Sequence, residues 1–373
     1  MHFLQKERAT LEEFLPTLDT TLEKIPLLEM EAKGNPAISA FRNLGGPSLL
    51  IPREYGGYGV TPLQLVRIQR AIASRSPSLA IGANMHHCTV AAMLEATSDA
   101  SVVGLFKNVA KQNLYLASGF AEGKTGTSIL LPSMKAEHTS GGFLISGSKK
   151  PCSLSASMDF LTASVLVPSR SCDGNELALA IIPADSVGIE RKPFWKNWVL
   201  GGAESEEVIL DRVLVPDEFI CYLGKPDSLG SVMNRAFLWF ELFISASYLG
   251  IASALAERVI AERRGIPTER TLLGIELEGA MAALEGIAHC IMLDWTSDAE
   301  VVQALCVRYC VQRTIERVTE NAAELLGGMA FISSSEISYL LAASRALAFH
   351  PPSRLSMVPT LDRYLAGESL VMP

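Results

Sequence analysis

A carboxylate set among aromatic side chains is the first group in the sequence that could take part in a reaction. Glu241 lies in the run Phe237-Leu238-Trp239-Phe240-Glu241-Leu242-Phe243. Burial among such neighbours disfavours the charged form, raises the pKa and makes a carboxylate a better proton acceptor near pH 7. We therefore expect Glu241 to be either a catalytic base or a structural ion-pair partner of Arg235 or of an arginine from another helix.

A histidine near the end of the chain is the second such group. His350 stands in the sequence Phe349-His350-Pro351-Pro352, and histidine is the side chain that exchanges protons near neutral pH. The functional interpretation makes His350 a catalytic residue. The structural alternative is a helix-terminal histidine that bonds free carbonyl groups at the helix end. His86 and His87, in the first part of the chain, are weaker candidates.

The composition limits the classes of protein in which these two groups could act. The 373 residues are enough for two or three compact domains, and 49% hydrophobic with 19% charged residues is typical of a globular protein. A net charge of -8 argues against nucleic-acid binding, which needs clustered Lys and Arg. The 7 cysteines occur without Cys-x-x-Cys pairs, which indicates reduced thiols in a cytoplasmic protein and no metal site.

One segment is long and apolar enough to cross a bilayer. It runs from Ala236 to Ala256 and contains Glu241. Because a carboxylate inside a membrane is costly, we predict a buried core helix here and no membrane partner. The N-terminus also lacks the long apolar core of a secretion signal.

The spacing of apolar residues divides the chain into three parts. We predict an N-terminal helical domain at 1–112, a central antiparallel β-domain at 113–225 and a C-terminal four-helix bundle at 226–373, which is an α+β fold. The predicted strands are Leu114–Ala117, Gly142–Ser146, Phe160–Val167, Ala178–Ile182 and Val208–Val213. The predicted C-terminal helices are Ser231–Arg264, Glu269–Asp294, Ala299–Leu326 and Ser335–Phe349. Glycines at 327–328 and prolines at 351–352 end the last two helices, and Ser333 with Glu336 has capping-box spacing.

Five motifs occur in the order found in one known family. They are Pro52-Arg53-Glu54-Tyr55-Gly56-Gly57-Tyr58-Gly59, the loop from Gly119 to Ser128, the hairpin from Gly142 to Lys149, the strand from Val208 to Pro216, and Glu324-Leu325-Leu326-Gly327-Gly328-Met329-Ala330-Phe331. They resemble P-x-E-x-G-G-x-G, T-E-P-x-x-G-S, G-G-Y-x-I-N-G-x-K, V-x-F-x-x-V-x-V-P and Q-x-x-G-G-x-G-[FY]. Each motif is weak alone, but together they span nearly the whole chain, which resembles the acyl-CoA dehydrogenase superfamily.

The resemblance implies FAD bound between the β-domain and the C-terminal bundle. Phe120, Ala121 and Glu122 correspond to family residues at the pyrimidine edge of the flavin. Residues 149–153 overlay K-x-W-I-T, in which the threonine donates to flavin N5. Cys152 and Ser153 are thereby implied flavin contacts, with a solvent-facing turn serine as the alternative for Ser153. Ser128 falls on the serine that contacts substrate in the family.

The glycine motif of the family approaches the FAD of a partner subunit. Glu324, Gly327 and Gly328 are therefore implied cofactor-binding residues, and a homodimer or homotetramer is implied with them. Taken alone, the glycine pair is explained as a helix C-cap.

The chain departs from the family where the catalytic base is usually found. Members that oxidise acyl thioesters carry a glutamate in Y-E-G-T, but the corresponding stretch from Arg345 to Arg354 has no carboxylate. Some members place the glutamate on the first bundle helix, within one position of Glu241. Flavin monooxygenases of the superfamily have a histidine in the region of His350 that assists the reaction with oxygen. The family's R-x-x-F-G motif, which supports FAD across the subunit interface, is replaced by Arg263-Arg264-Gly265-Ile266-Pro267.

These departures leave three interpretations of function. The main one is an FAD-dependent dehydrogenase or oxidase of an acyl thioester held on an acyl carrier protein or on coenzyme A. It follows from a likeness to the acyl-carrier-protein dehydrogenases of polyketide and nonribosomal pathways, including the colibactin branch that converts a seryl-derived semialdehyde to aminomalonyl-carrier protein. The second is a flavin-dependent monooxygenase with His350 near the flavin. The third is a non-catalytic member that binds a partner.

Overall fold

The computed structural model describes residues 2–96, 100–123, 132–134, 136–169, 174–225 and 230–372. Within these residues, helices come first, strands follow, and helices return. The predicted α+β class is therefore confirmed. The substrate-contacting role expected of Ser128 falls outside the described residues.

Seven α-helices are described before the first strand, and capping residues set where two of them begin. Asn35 caps the fourth helix by accepting a hydrogen bond from the backbone N of Ala37. Thr61 caps the fifth through a capping box with Gln64, and Pro62 stands at the first helical position, where an N–H has no intrahelical partner. The helices are α1 (Gln5–Phe14), α2 (Leu18–Glu23), α3 (Leu27–Met30), α4 (Pro36–Asn43), α5 (Pro62–Arg75), α6 (Pro77–Ala96) and α7 (Ala100–Gln112).

The central part contains eight strands among the described residues. They are β1 (Leu116–Gly119), β2 (Ala136–Thr139), β3 (Gly142–Cys152), β4 (Phe160–Pro168), β5 (Asn175–Pro183), β6 (Ile189–Lys192), β7 (Glu206–Pro216) and β8 (Ile220–Gly224). They form two four-stranded sheets, one in the order β1-β4-β5-β8 and one in the order β2-β3-β7-β6. Every pair is antiparallel except β1 with β4, which is parallel.

Each of the five predicted strands is present with shifted ends, whereas β2, β6 and β8 were not predicted. β2 and β6 have four residues each and are largely exposed. Their sequences therefore lack the alternation of buried and exposed residues that marks a strand. β3 runs further than predicted, to Cys152, and so carries the chain directly into Ser153.

Five α-helices lie in the described C-terminal part. They are α8 (Gly230–Ala261), α9 (Pro267–Met292), α10 (Asp298–Ser333), α11 (Ser335–Ser344) and α12 (Arg354–Leu365), with a 3₁₀ helix at Arg345–Phe349. The segment Val232–Ala261 is long and apolar enough to cross a membrane, but it is buried inside the protein. It packs against α5, α6, α9 and α10, so the prediction of a core helix is confirmed.

Three details at the helix ends differ from expectation. Gly327 has a φ of 84° and interrupts α10, but helical turns resume as far as Ser333. The cap of α11 is Ser334, so the predicted capping box of Ser333 with Glu336 is wrong; the Glu336 carboxylate pairs instead with Arg258. The short helix α12, which was not predicted, begins after the two prolines.

The helices of both ends of the chain share one hydrophobic core, and the two sheets enclose a second. The helical core includes Leu65 of α5, Leu249 of α8 and Val311 of α10, all fully buried. The sheet core includes Ile145 and Val165. Because α8 contacts helices from both ends of the chain, polar groups on α8 are surrounded by protein on several sides.

Candidate active site

A buried ion pair joins α8 to α10. Arg308 Nη1 donates to both carboxylate oxygens of Glu241 at 2.9 Å, and each side chain is only 1% exposed. Burial raises the pKa of Glu241 to about 7, while the Arg308 guanidinium opposes the rise. Of the two expected ion-pair partners, the arginine from another helix is the one found. Arg235 pairs instead with Glu95 at 2.8 Å.

His350 lies beside this ion pair, in the turn that follows the 3₁₀ helix. Its Nε2 is 2.9 Å from the hydroxyl of Tyr248 on α8. Burial and, to a smaller extent, the charge of Arg308 lower the pKa of His350 to about 3. The imidazole is therefore neutral at physiological pH.

The turn that carries His350 is held by Arg308. Its Nη2 donates to the backbone carbonyls of Leu347 at 3.2 Å and His350 at 2.6 Å, and its Nη1 lies 3.3 Å from the carbonyl of Pro351. The carbonyls at this helix end are thus served by a guanidinium from another helix. The expected alternative, in which the His350 ring serves them, is not the arrangement in the structure.

Glu241 and His350, the two candidates from the sequence, are therefore close in space. They are linked by Arg308 and Tyr248, neither of which was predicted from the sequence. Tyr248 follows Glu241 by two helical turns, so the spacing alone could have placed both on one face of α8. Arg308 gave no comparable signal, because nothing local in the sequence of α10 identifies a partner on α8.

His86 and His87 have structural contacts away from this cluster. His86 Nε2 lies 2.8 Å from the carbonyl of Pro47, and its Nδ1 accepts a hydrogen bond from the backbone N of Leu116 at 3.0 Å. His87 Nε2 lies 3.2 Å from the carbonyl of Gly46. Burial lowers the pKa of His86 to about 4 and that of His87 to about 3. Both rings link α6 to neighbouring backbone.

The residues expected at the flavin pyrimidine edge lie beside the end of β3. The backbone N of Lys150 donates to the carbonyl of Ala121 at 2.8 Å, and Glu122 and Lys150 form a parallel β-bridge. Phe120 is half-buried and packs against the helical core. The segment 120–122 and the segment 150–153 therefore form one continuous strip, which we call the strand-end strip.

The carboxylate of Glu122 is engaged within the protein. It accepts hydrogen bonds from the backbone N of Ser133 at 2.9 Å and from Lys149 Nζ at 3.0 Å. Burial alone would raise its pKa, but the hydrogen bonds from Ser133 and Lys149 outweigh burial and lower the pKa to about 2. The side chain is thus ionised and fixed, and a flavin contact at this position would use the backbone.

Ser153 and Cys152 point in different directions at the end of β3. The Ser153 hydroxyl is 3.0 Å from the hydroxyl of Ser205, and Ser153 is only 7% exposed, so it is not a solvent-facing turn serine. The Cys152 thiol is buried among the sheet residues and lies 3.3 Å from the carbonyl of Lys149. Burial raises its pKa to about 12. A Cys152 contact to a cofactor would therefore use the backbone.

The glycine motif lies at the exposed end of α10 rather than in the buried cluster. Glu324 and Gly328 are exposed, and Gly327 adopts the left-handed φ that glycine tolerates best. Met329 and Ile332, just beyond, are each 77% exposed. The motif therefore stands next to an apolar surface.

The turn that replaces R-x-x-F-G is closed by its own neighbours. Arg270 Nη1 donates to the carbonyls of Arg263 at 3.2 Å, Arg264 at 3.0 Å and Gly265 at 2.5 Å. The backbone N of Ile266 donates to Glu269 at 2.8 Å. These side chains stabilise the turn itself.

Comparisons with known proteins point to flavin enzymes. No family model matches the chain. Isobutylamine N-hydroxylase of Streptomyces viridifaciens is 45% identical over 99% of this chain and 100% of its own length. Dibenzothiophene monooxygenase of Rhodococcus erythropolis is 27% identical over 66% of this chain and 64% of its own length. The structure of TdsC from Paenibacillus sp. A11-2 with FMN and indole, 20% identical, has the same fold, with a TM-score of 0.83 over 100% of this chain and 99% of that one.

Proposed function

The chain belongs to the acyl-CoA dehydrogenase superfamily as a flavin-dependent oxidoreductase, and we propose that it is a monooxygenase that hydroxylates the nitrogen of a primary alkylamine. One atom of O2 is transferred to the amine nitrogen to give a hydroxylamine, and the other leaves as water. The reduced flavin, when bound, supplies the two electrons that this balance requires.

The observation that carries the proposal is the 45% identity to an amine N-hydroxylase along the whole chain. The comparisons support the monooxygenase interpretation better than oxidation of a carrier-protein thioester. The missing Y-E-G-T glutamate agrees with it, because hydroxylation at nitrogen requires no abstraction of a proton from carbon.

The residues present fit a flavin. The strand-end strip brings the backbone of residues 120–122 alongside Lys150, close in sequence to the paired hydroxyl donors of Ser153 and Ser205. Such donors match the flavin edge on which negative charge develops upon reduction. In this assignment Phe120, Ala121 and Glu122 line the pyrimidine edge, and Ser153 donates near N5.

We propose FMN rather than FAD as the flavin. TdsC, which shares the fold, has been solved with FMN. In addition, the turn at 263–267 lacks the family's FAD-supporting motif, and Arg270 is used to close that turn. The R-x-x-F-G motif, which in the family supports the adenosine half of FAD across the subunit interface, is therefore absent from this turn.

The roles proposed for the buried cluster follow from its charge. When Glu241 is ionised its charge offsets that of Arg308, and His350 is neutral at physiological pH. In that state the cluster carries no net charge to repel the ammonium group of an arriving amine, which loses its extra proton to solvent before the nitrogen lone pair can accept oxygen. Tyr248 binds Nε2 of His350, which leaves Nδ1 to hydrogen-bond to substrate or cofactor. Phe240, whose ring centroid lies 6.4 Å from that of His350, supplies an apolar wall.

A base role for Glu241 stays a prediction. Both of its oxygens are bound by Arg308, so a substrate proton reaches them only if Arg308 moves. In the proposed reaction Glu241 acts as the counter-ion of Arg308.

The partners of such an enzyme are also proposals. We propose that a separate reductase supplies the reduced flavin and that both proteins act in the cytoplasm, where thiols stay reduced. We keep the expectation of a homodimer or homotetramer, with Glu324, Gly327 and Gly328 facing the flavin site of a second copy. The apolar surface at Met329 and Ile332 supports this expectation.

The test is oxygen transfer with isotopically labelled O2. Purified enzyme receives FMN, a flavin reductase and NADH, and a series of primary alkylamines is offered with ¹⁸O2. Mass spectrometry should detect the hydroxylamine with one labelled oxygen atom. An unlabelled product, or bleaching of bound FAD by an acyl-carrier thioester without oxygen, would instead favour thioester oxidation. Protein that binds neither flavin would favour the non-catalytic interpretation.

A further inference from the structure

We propose that Arg308 is a positioning residue, which fixes the orientation of the His350 imidazole by holding the backbone turn that carries it. The inference rests on the proposed function only in assigning His350 a role at the reacting atoms. The geometry of the turn is independent of that assignment.

The hydrogen bonds that Arg308 makes to the turn require a planar side chain with two terminal donor nitrogens. Its two terminal nitrogens reach the carboxylate of Glu241 on one side and the carbonyls of Leu347, His350 and Pro351 on the other. A lysine ammonium donates from a single nitrogen and cannot span these positions in the same way. The two carboxylate bonds hold the guanidinium, and the guanidinium holds the turn.

The turn needs such a donor because of its sequence. The last carbonyls of a helix have no intrahelical partner, and the two prolines after His350 contribute no backbone N–H. Buried carbonyls without a donor are costly. Arg308, which is 1% exposed, donates to three carbonyls of the turn from α10. The backbone N of His350 also donates to the carbonyl of Leu347 at 3.2 Å, and the Tyr309 hydroxyl donates to the carbonyl of Pro352 at 3.1 Å. Because Arg308 also joins the turn to Glu241 on α8, the position of the turn relative to α8 depends strongly on this side chain.

The position of the turn determines the environment of His350. Its ring meets Tyr248 and Phe240, both on α8, and Arg308 of α10, paired with Glu241 of α8, lies against the same turn. If the turn shifts, the Tyr248 hydrogen bond is lost and the ring rotates. A displacement of about 1 Å in a catalytic group can lower a rate by about 100-fold.

Two variants separate positioning from general stability. Arg308→Lys keeps the charge opposite Glu241 but removes the forked donor. The double variant Glu241→Leu, Arg308→Met removes both charges together, a replacement that buried ion pairs often tolerate. The matched control is Arg317→Lys on the same helix, because Arg317 forms an exposed pair with Glu276 at 2.7 Å.

The first readout is the NMR signal of the His350 ring in protein without flavin, assigned by its absence in His350→Gln. We expect both Arg308 variants to change the ring shifts and tautomer balance of His350, and Arg317→Lys to leave them unchanged. Wild-type shifts in either folded Arg308 variant would overturn the proposal. If Arg308→Lys does not fold, the same comparison is made with the double variant alone.

The second readout is turnover of the amine with reduced FMN. We expect kcat to fall by about 10- to 100-fold in the Arg308 variants, with KM for the amine and Kd for FMN changed by less than about twofold. Equal loss in kcat and in FMN affinity would make Arg308 a merely structural residue. If wild-type protein hydroxylates no amine, the proposed function fails, whereas the NMR readout still decides whether Arg308 positions His350.

Discussion

Replacing Glu31 with glutamine should remove a large part of the pH dependence of folding. The Glu31 carboxylate is 2% exposed and accepts hydrogen bonds from the backbone N of Ser78 at 2.9 Å, from Ser76 Oγ at 3.2 Å and from the hydroxyl of Tyr339. The Tyr339 hydroxyl in turn accepts from the backbone N of Leu200 at 2.9 Å. Glu31 therefore links the start of α6 and α11 to the segment before β7.

The magnitude follows from the shift in the Glu31 pKa. Burial raises the pKa from 4.5 to about 7, against the hydrogen bonds of Ser78, Tyr339 and Ser76. Between these values the folded chain keeps a proton that the unfolded chain releases, so stability is highest below the unfolded pKa and falls as pH rises. The full loss is about 3 kcal/mol, of which about 2.5 kcal/mol falls between about pH 5 and about pH 8.

The assay is urea unfolding of wild type and Glu31→Gln across that pH range, at one protein concentration. The difference in unfolding free energy between the two proteins should decrease by about 2.5 kcal/mol as pH rises, because glutamine does not titrate. Glu29→Gln is the matched control, since Glu29 is an exposed residue of α3, the short helix whose C-cap is Glu31. Parallel curves for wild type and Glu31→Gln would refute the reasoning, because Glu31 would then titrate alike in both states.

Three further variants test the proposed site and assembly. Tyr248→Phe removes the hydroxyl that binds His350 Nε2; steady-state kinetics should show kcat reduced by about tenfold with little change in KM, and an unchanged kcat would remove Tyr248 from the reaction. Ser153→Ala should weaken FMN binding by about five- to tenfold in a fluorescence titration, because a donor is lost; unaltered affinity would place the flavin elsewhere. Met329→Asp with Ile332→Asp should yield monomers in light scattering, since both side chains are exposed and apolar, and an unchanged mass would locate the interface on another surface.

Local patterns were sufficient where a single element determines the answer. The apolar run in α8 predicted a buried helix, and the aromatic neighbours of Glu241 predicted burial of a carboxylate with a raised pKa. The runs at Phe160–Val167 and Gly142–Ser146 identified two long strands. In each case the signal lies in residues close together in sequence, which is where hydrophobic spacing is informative.

The same local patterns could not predict contacts between elements that are distant in the sequence. Whether Glu241 met a substrate or an arginine depended on residue 308, far along the chain and on another helix. The short strands β2 and β6 form because β3 and β7 offer them backbone partners, and their own sequences carry little of that information. Gly327 was expected to end a helix; its backbone departs from helical geometry, but apolar residues beyond it resume the helix.

The buried cluster explains why two departures from the family occur in one chain. A dehydrogenase of acyl thioesters needs an accessible carboxylate to remove a proton from carbon. Here Glu241, which corresponds within one position to the alternative glutamate of the family, is bound on both oxygens by Arg308, and freeing it would leave a buried cation unpaired at a cost of several kcal/mol. The same guanidinium holds the turn in which Y-E-G-T is missing and His350 stands instead. In this geometry a carboxylate that removes a proton from carbon and a positioned neutral histidine exclude each other. The ion pair with Arg308 occupies the Glu241 carboxylate, and the same Arg308 holds the turn that carries His350. Oxygen transfer to the nitrogen of a free-base amine requires no removal of a proton from carbon, so the proposed reaction is compatible with the second arrangement.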